Sequence, residues 1–328
     1  MTVFCMVEVD GNAAADASLR ALTFARGLAA GTATELAAVV FRAPDGALAS
    51  DLAAYGADDV YVVSGVDGYA PQAWARALAE LLDAAAGTPS ARVQAAVAAG
   101  TERGNEVLAH LGAITGLPMA ANCVAASPAG ADALKIIRQR WAGLLLEEAV
   151  LAAPASLLTV ATEAVSPEPA PDPGAAVLHD VTPSVSGADL LVRAVESSAG
   201  VGGASLATAR VVVGGGRGVG SADGFAPLEE LAGLLGGVVG VSRVVTSEGW
   251  RPHSMQVGQT GTKITPDLYL ACGISGAIQH FAGCSGAKHI IAINTDPSAP
   301  MMTRADYAVV GDLHEVLPAL IKALRARA

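Results

Sequence analysis

The sequence predicts an α/β protein of two domains, each built on a mostly parallel sheet. Three observations carry that expectation. Short β-branched runs alternate with Ala/Leu-rich stretches of helical length through the first half, as in successive βαβ units. A proline-rich stretch then breaks the pattern at 166–174. A second series opens at Arg210, where a β-branched run leads straight into clustered glycines. The chain has 328 residues, 52 % of them hydrophobic and 16 % charged, enough for two buried cores.

In chain order, Val3 to Val9 reads as the first strand, and Asp16 as the cap of a helix running to about Gly31. Leu36 to Phe41 and Val60 to Val63 are further strands, with helical windows at 46–55 and 71–86. Val93 to Ala98 follows, then a helix from about Gly104 to Ile114. From Leu134 to Glu163 the pattern changes to consecutive strands, which suggests an antiparallel extension. The prolines at 167, 169, 171 and 173 exclude pairing or helix there and mark a surface loop. Asp189 to Glu196 reads as a strand closing the first domain, and Ser197 to Leu206 as a hinge. The domains are therefore expected at 1–200 and 205–328.

Composition excludes several function classes. Lys and Arg number 20 against 31 Asp and Glu, a net charge of −11. An isoelectric point near 4.9 argues against general nucleic-acid binding, which needs a basic face. Mean hydropathy is +0.46, yet the two longest uncharged stretches, between Glu106 and Asp132 and between Asp267 and Lys288, are rich in small and polar residues. Neither is the Leu/Ile/Phe-dominated run that membrane insertion favours. The N-terminus lacks a basic segment ahead of a long apolar run, so no leader peptide is expected. Cys5, Cys123, Cys272 and Cys284 form no CxxC pair, and free buried thiols in the cytoplasm are expected, without metal.

The chemistry lies in the second domain. Arg210 to Val213 runs into Gly214-Gly215-Gly216-Arg217-Gly218, a strand opening into glycines that brings backbone amides near a diphosphate. The spacing is neither G-x-G-x-x-G nor a P-loop, leaving a different nucleotide cradle or a flexible surface turn. Ser242-Arg243 follows the strand Val238 to Val241, at the edge where doubly wound sheets bind ligands, although a rim arginine fits too. Gln256 to Thr262 packs amides, hydroxyls and glycines into one loop, suited to a polar heterocycle or to a self-satisfied turn. Leu268 to Gly273 is a strand; Ile274 to His280 then enters a helix whose first amides, with Ser275, form an anion site. Gln279 and His280 sit one turn in, where His280 is either a ligand contact or a structural histidine. His289 to Asn294 is the next strand.

In these segments the chain resembles the α subunit of the electron transfer flavoproteins. The similarity is strongest from Leu268-Tyr269 through Gly273-Ile274-Ser275-Gly276-Ala277-Ile278-Gln279-His280. It extends through Ile291-Ala292-Ile293-Asn294, Asp296-Pro297, Ala305-Asp306-Tyr307 and Gly311-Asp312-Leu313, with Gly215 to Gly218, Ser242-Arg243 and Val257 to Gly261 ahead of it in family order. The resemblance implies a second α/β FAD-binding domain and a β subunit completing a heterodimer. It implies that Arg217, Ser242 and Arg243 contact the flavin nucleotide, Arg243 close to the isoalloxazine ring. Val257, Gly258, Gln259 and Thr260 would lie along the ring, with the Thr260 hydroxyl donating to N5. Ser275, Gly276, Ala277, Ile278, Gln279 and His280 would supply amides and side chains, His280 near the N1/C2=O edge. Asn294 and Asp312 would meet the adenosine end.

A cationic Arg243 and a donor at His280 beside that edge would stabilise the negative charge left by one-electron reduction and shift the potential toward the semiquinone. The function the resemblance implies is an electron carrier without catalytic residues. It would take electrons from dehydrogenases, such as the acyl-CoA dehydrogenases of fatty acid β-oxidation, and pass them to a membrane quinone oxidoreductase. The alternatives are a subunit of an electron-bifurcating complex, or a flavin- or NAD-dependent oxidoreductase with its own substrate.

Overall fold

The computed structural model describes residues 2–86, 93–130, 132–141, 143–194, 206–207 and 209–326. The described chain is α/β, as expected, and divides into two compact units, Met1–Ser197 and Ser198–Ala328. Most of the expected hinge, and the end of the strand expected before it, lie outside the described residues.

In the first unit the strands are β1 (Thr2–Met6), β4 (Glu35–Val40), β5 (Asp59–Val63), β6 (Val93–Ala99), β7 (Met119–Pro128), β8 (Ala133–Arg140), β9 (Leu145–Ala152), β10 (Ser156–Val160) and β11 (Val177–Val181). A short ribbon, β2 (Val9–Asp10) with β3 (Ala13–Ala14), precedes α1 (Asp16–Thr32). The other helices are α2 (Gly46–Ala54), α3 (Pro71–Ala86) and α4 (Glu102–Thr115). The nine described strands of the main sheet lie in the order β11-β5-β4-β1-β6-β10-β7-β8-β9. Pairing is parallel as far as β7, and antiparallel across β7-β8-β9, the extension that the consecutive strands predict. Strands such as Leu36 to Val40 are buried on both faces, which is why they read as unbroken apolar runs. Ala21, Leu22, Ala25, Leu28 and Ala29, spaced three and four apart, seat α1 on one of these faces.

Two expectations fail here. Asp16 does not cap α1: the cap position is Ala15, and Asp16 pairs with Arg20 one turn on, at 2.7 Å. The described part of 189–196 is not a strand, because the Asp189 carboxylate accepts from the backbone and hydroxyl of Ser186 and closes a 3₁₀ turn, Ala188–Leu190. The last described strand of this unit is instead β11, on the edge beside β5.

The second unit holds β12 (Val211–Gly215), α5 (Ala226–Leu234), β13 (Val238–Val241), α6 (Arg243–Ser247), β14 (Leu268–Cys272), α7 (Ile278–Cys284), β15 (His289–Asn294), α8 (Pro300–Arg304), β16 (Tyr307–Val310) and α9 (Leu313–Arg325). Its sheet is wholly parallel, in the order β13-β12-β14-β15-β16. Leu228 and Leu231 of α5 and Leu317 and Ile321 of α9 pack on the face carrying Val213, Leu270 and Ile293. Cys284 of α7 and Met301 and Met302 of α8 cover the face carrying Val212, Tyr269 and Ala292. The strand order reverses between β12 and β14, where open α/β sheets place their ligand crevice. All four cysteines of the chain are buried and unpaired.

Candidate functional site

Four neighbouring strands release their carboxyl ends on one side of the second sheet. Gly216 and Arg217 follow β12, Ser242 and Arg243 follow β13, Gly273 to Ala277 follow β14, and Asp296 lies just after β15, which ends at Asn294. Side by side, these turns and the 256–260 loop line one cavity of about 680 Å³. That is the size range of a cofactor site. It gathers Arg217, Ser242, Arg243, Val257, Gly258, Gln259, Thr260, Ser275, Gly276, Ala277, Gln279, His280 and Asn294 from segments up to 77 residues apart in sequence.

Ile278 and Asp312, also expected at the site, are not among its lining residues. Ile278 opens α7 with its side chain 54 % exposed. Asp312 caps α9, its carboxylate accepting the His314 amide at 2.9 Å. The lining adds Gly218, Val244, Ser247, Gln256, Gly273, Ile274, Asp296 and Ala299. Gln256 stands at the head of the loop that sequence reasoning had singled out, and Asp296 follows the Asn294 strand directly; neighbourhood alone pointed to both.

The helix expected from Ile274 starts later. Gly273 and Gly276 hold positive φ, +63° and +80°, so the chain turns twice before Ile278. Ser275, expected beside the first amides of the helix, is therefore an exposed residue three positions ahead of it. The turns also need glycine for room. A Cβ on Gly218 would lie 2.7 Å from the Gly273 Cα, so the β12 and β14 turns touch backbone to backbone. Two turns are packed this closely without a dinucleotide fingerprint.

Polar groups tie the rim together. The Thr246 hydroxyl lies 2.7 Å from Gln256 Oε1, and Gln256 Nε2 donates to Thr260 Oγ1 at 3.0 Å. Gln256 is 2 % exposed, so this chain fixes Thr260 relative to α6. The Gln259 amide donates to the Gln279 carbonyl at 2.7 Å, locking the loop onto α7. Asn294 donates to the Ile274 carbonyl and accepts the Asp296 amide, both at 3.1 Å.

Charge and burial define what the cavity accepts. Arg217 and Arg243 are exposed and, among the described residues, form no ion pair, whereas Arg210, Arg251 and Arg325 all do. Two guanidiniums without a protein carboxylate partner suit an anionic ligand. His280 is 7 % exposed, and burial pushes its pKa down to about 4, with the Val257 backbone opposing. It is therefore neutral near pH 7. Its Nε2 lies 2.8 Å from the Tyr269 hydroxyl, while Nδ1 is buried without a hydrogen-bond partner. A backbone cradle, two free cations and an orphaned ring nitrogen fit a flavin dinucleotide, which brings phosphates and a polar ring. Among the described residues no group of three or more His, Cys, Asp or Glu could hold a metal.

Residues 3–186 match the electron transfer flavoprotein domain, and residues 205–285 match the electron transfer flavoprotein FAD-binding domain. Over 330 residues the chain is 37 % identical to the electron transfer flavoprotein subunit alpha of Mycobacterium tuberculosis (strain ATCC 25618 / H37Rv), covering 99 % of this chain and 98 % of that one. It is 37 % identical over 301 residues to the namesake subunit of Mycobacterium leprae (strain TN), covering 89 % and 90 %. The subunit of Bacillus subtilis (strain 168) is 55 % identical over a shorter stretch of 118 residues, which spans 36 % of each chain.

Proposed function

The chain belongs to the electron transfer flavoprotein α-subunit family, and from that premise we propose that it is the FAD-holding half of a heterodimeric electron carrier. FAD is the family's cofactor, bound through the domain matched at 205–285. When bound, it supplies reversible electron uptake. The protein's own residues then hold it, orient it and tune the charge around it.

One observation carries the assignment to this cavity: two unpaired guanidiniums and a buried, unsatisfied imidazole line a backbone cradle at the sheet's reversal point. In this reading Arg217 meets the phosphates, and Arg243 lies by the ring. Thr260 offers its hydroxyl, held by Gln256, and the 257–260 loop covers one face of the ring. His280 offers a neutral N–H. Nothing here must act as nucleophile or general acid, as suits a protein that transfers electrons without remaking a substrate.

The partner is a β subunit. Dehydrogenases, including acyl-CoA dehydrogenases, are the proposed donors, and a membrane quinone oxidoreductase the proposed acceptor. Among the described residues no helix is long and apolar enough to cross a membrane. The cytoplasm is the proposed site of this transfer. The test is co-production with the β subunit, followed by a flavin count and spectrum. One tightly bound FAD whose content falls at least tenfold in Arg217→Ala or Arg243→Ala is expected. A colourless complex that takes up no FAD would refute the proposal.

A further inference from the structure

Tyr269 is the second residue of β14 and is fully buried. It lines none of the cavity, yet its hydroxyl reaches His280 Nε2, which does line it, at 2.8 Å. The backbone is shaped around that hydroxyl. A Cβ on Gly214, in neighbouring β12, would collide with it.

The hydrogen bond can run in two directions, and they differ in what they leave unpaired. If Nε2–H donates to the phenol oxygen, the phenol's own proton has no acceptor among the described residues. Nδ1 then becomes a bare lone pair, also without a partner. If the phenol donates to Nε2, the hydroxyl is satisfied and the ring's proton sits on Nδ1. Only one group, the Nδ1–H, is left over; it belongs to a residue that lines the cavity, and the Val257 backbone, which raises the imidazole's pKa, favours a proton on that ring. Unpaired buried polar groups are costly, so the second arrangement is preferred. Burial holds the imidazole neutral, and no carboxylate contributes to its titration. One tautomer therefore decides whether the ring is a donor or an acceptor at Nδ1.

We propose that Tyr269 is a positioning residue: its hydroxyl holds His280 in the Nδ1–H tautomer, so that the imidazole meets the flavin as a hydrogen-bond donor. The proposal rests on the assignment of this cavity to FAD and deepens it. A donor keeps its partner as negative charge grows on the ring. An acceptor in the same place would repel that charge.

The test uses the flavin-loaded complex with its α chain carrying 15N-histidine. The chain has six histidines, and the His280 signals are those lost in His280→Gln. The proposal expects Nδ1 to bear the proton and Nε2 to be unprotonated. Wild-type protein with the proton on Nε2 overturns it, with no variant needed. In Tyr269→Phe, which keeps the ring, the tautomer preference should be lost. The flavin midpoint potential should fall by up to about 59 mV, the equivalent of tenfold in a one-electron equilibrium. Gly214→Ala, which displaces the hydroxyl but keeps the tyrosine, should move both readouts the same way. In a His280→Ala background Tyr269→Phe should leave the potential unmoved, because its effect runs through the imidazole. An equal shift in that background marks a structural effect and overturns the proposal. A lost tautomer with an unmoved potential overturns instead the placement of His280 against the flavin.

Discussion

His280 makes the stability of the second unit sensitive to acid. Its folded pKa of about 4 lies below the ordinary 6.5. Between those values the unfolded chain binds a proton that the folded chain excludes, so stability falls as pH drops through that window. At about 1.4 kcal/mol per pH unit, the full loss is about 3 kcal/mol. Urea unfolding at pH 7 and pH 4.5 should therefore show a steeper loss for the wild type than for His280→Gln. Parallel losses would mean that the imidazole is not the titrating group. Glu8, whose carboxyl burial pushes upward, runs with the opposite sign and is common to both proteins. A second residue-scale test concerns Gly214. Its φ is unexceptional, and the need for glycine is purely steric, because a Cβ meets the Tyr269 ring and hydroxyl together. Gly214→Ala should cost about 1–3 kcal/mol as an overpacking change, read as a lowered urea midpoint.

At the scale of elements, the turn between β14 and α7 matters most. A Cβ on Gly276 would lie 2.5 Å from the Met301 amide nitrogen, at φ +80°. Both strain and collision act there, and the neighbour is backbone that cannot rotate away. Gly249 has a similar φ, +73°, with open space around it. Gly249→Ala should therefore cost about 1–2 kcal/mol, from strain alone. Gly276→Ala should cost clearly more and should also lose FAD; equal costs would show that the turn can relax.

That same turn explains what the sequence made legible. Strands such as Leu36 to Val40 and Val211 to Val213 were readable because burial on both faces leaves only apolar residues. The start of α7 was not, since a helical spacing from Ile274 gives no sign that two glycines take positive φ. Edge strand β11 was missed because exposed Val177, Leu178 and Asp180 carry no burial pattern, directly after a proline run. Leu190, Leu191 and Val192 look like a strand by composition, but one aspartate–serine turn overrules them.

For the whole molecule, the acidity is confined to one part of the chain. Residues 1–200 carry 10 Lys and Arg against 22 Asp and Glu, while residues 201–328 carry 10 against 9. The part that receives a doubly phosphorylated cofactor is thus nearly neutral, and its two unpaired arginines meet no excess of carboxylates. The site was legible as separate residue types, because every segment but the 256–260 loop comes after an apolar strand. Only the strand order, which brings β13, β12, β14 and β15 together, shows that their ends converge. Cofactor linkage should respect the same division. A ligand that binds only the folded state adds about 2.7 kcal/mol at a hundredfold excess over its dissociation constant and about 4.1 at a thousandfold. Stripping FAD should therefore remove that much protection from the unit that holds it. Hydrogen exchange read by mass spectrometry separates the two: amides of β12, β14 and α7 should exchange about 100- to 1000-fold faster in the stripped protein, while those of β1, β4 and β6 keep their rates. Equal acceleration in both sets would mean that the cofactor stabilises the chain as one cooperative block, and would overturn the confinement of its binding energy to the second unit.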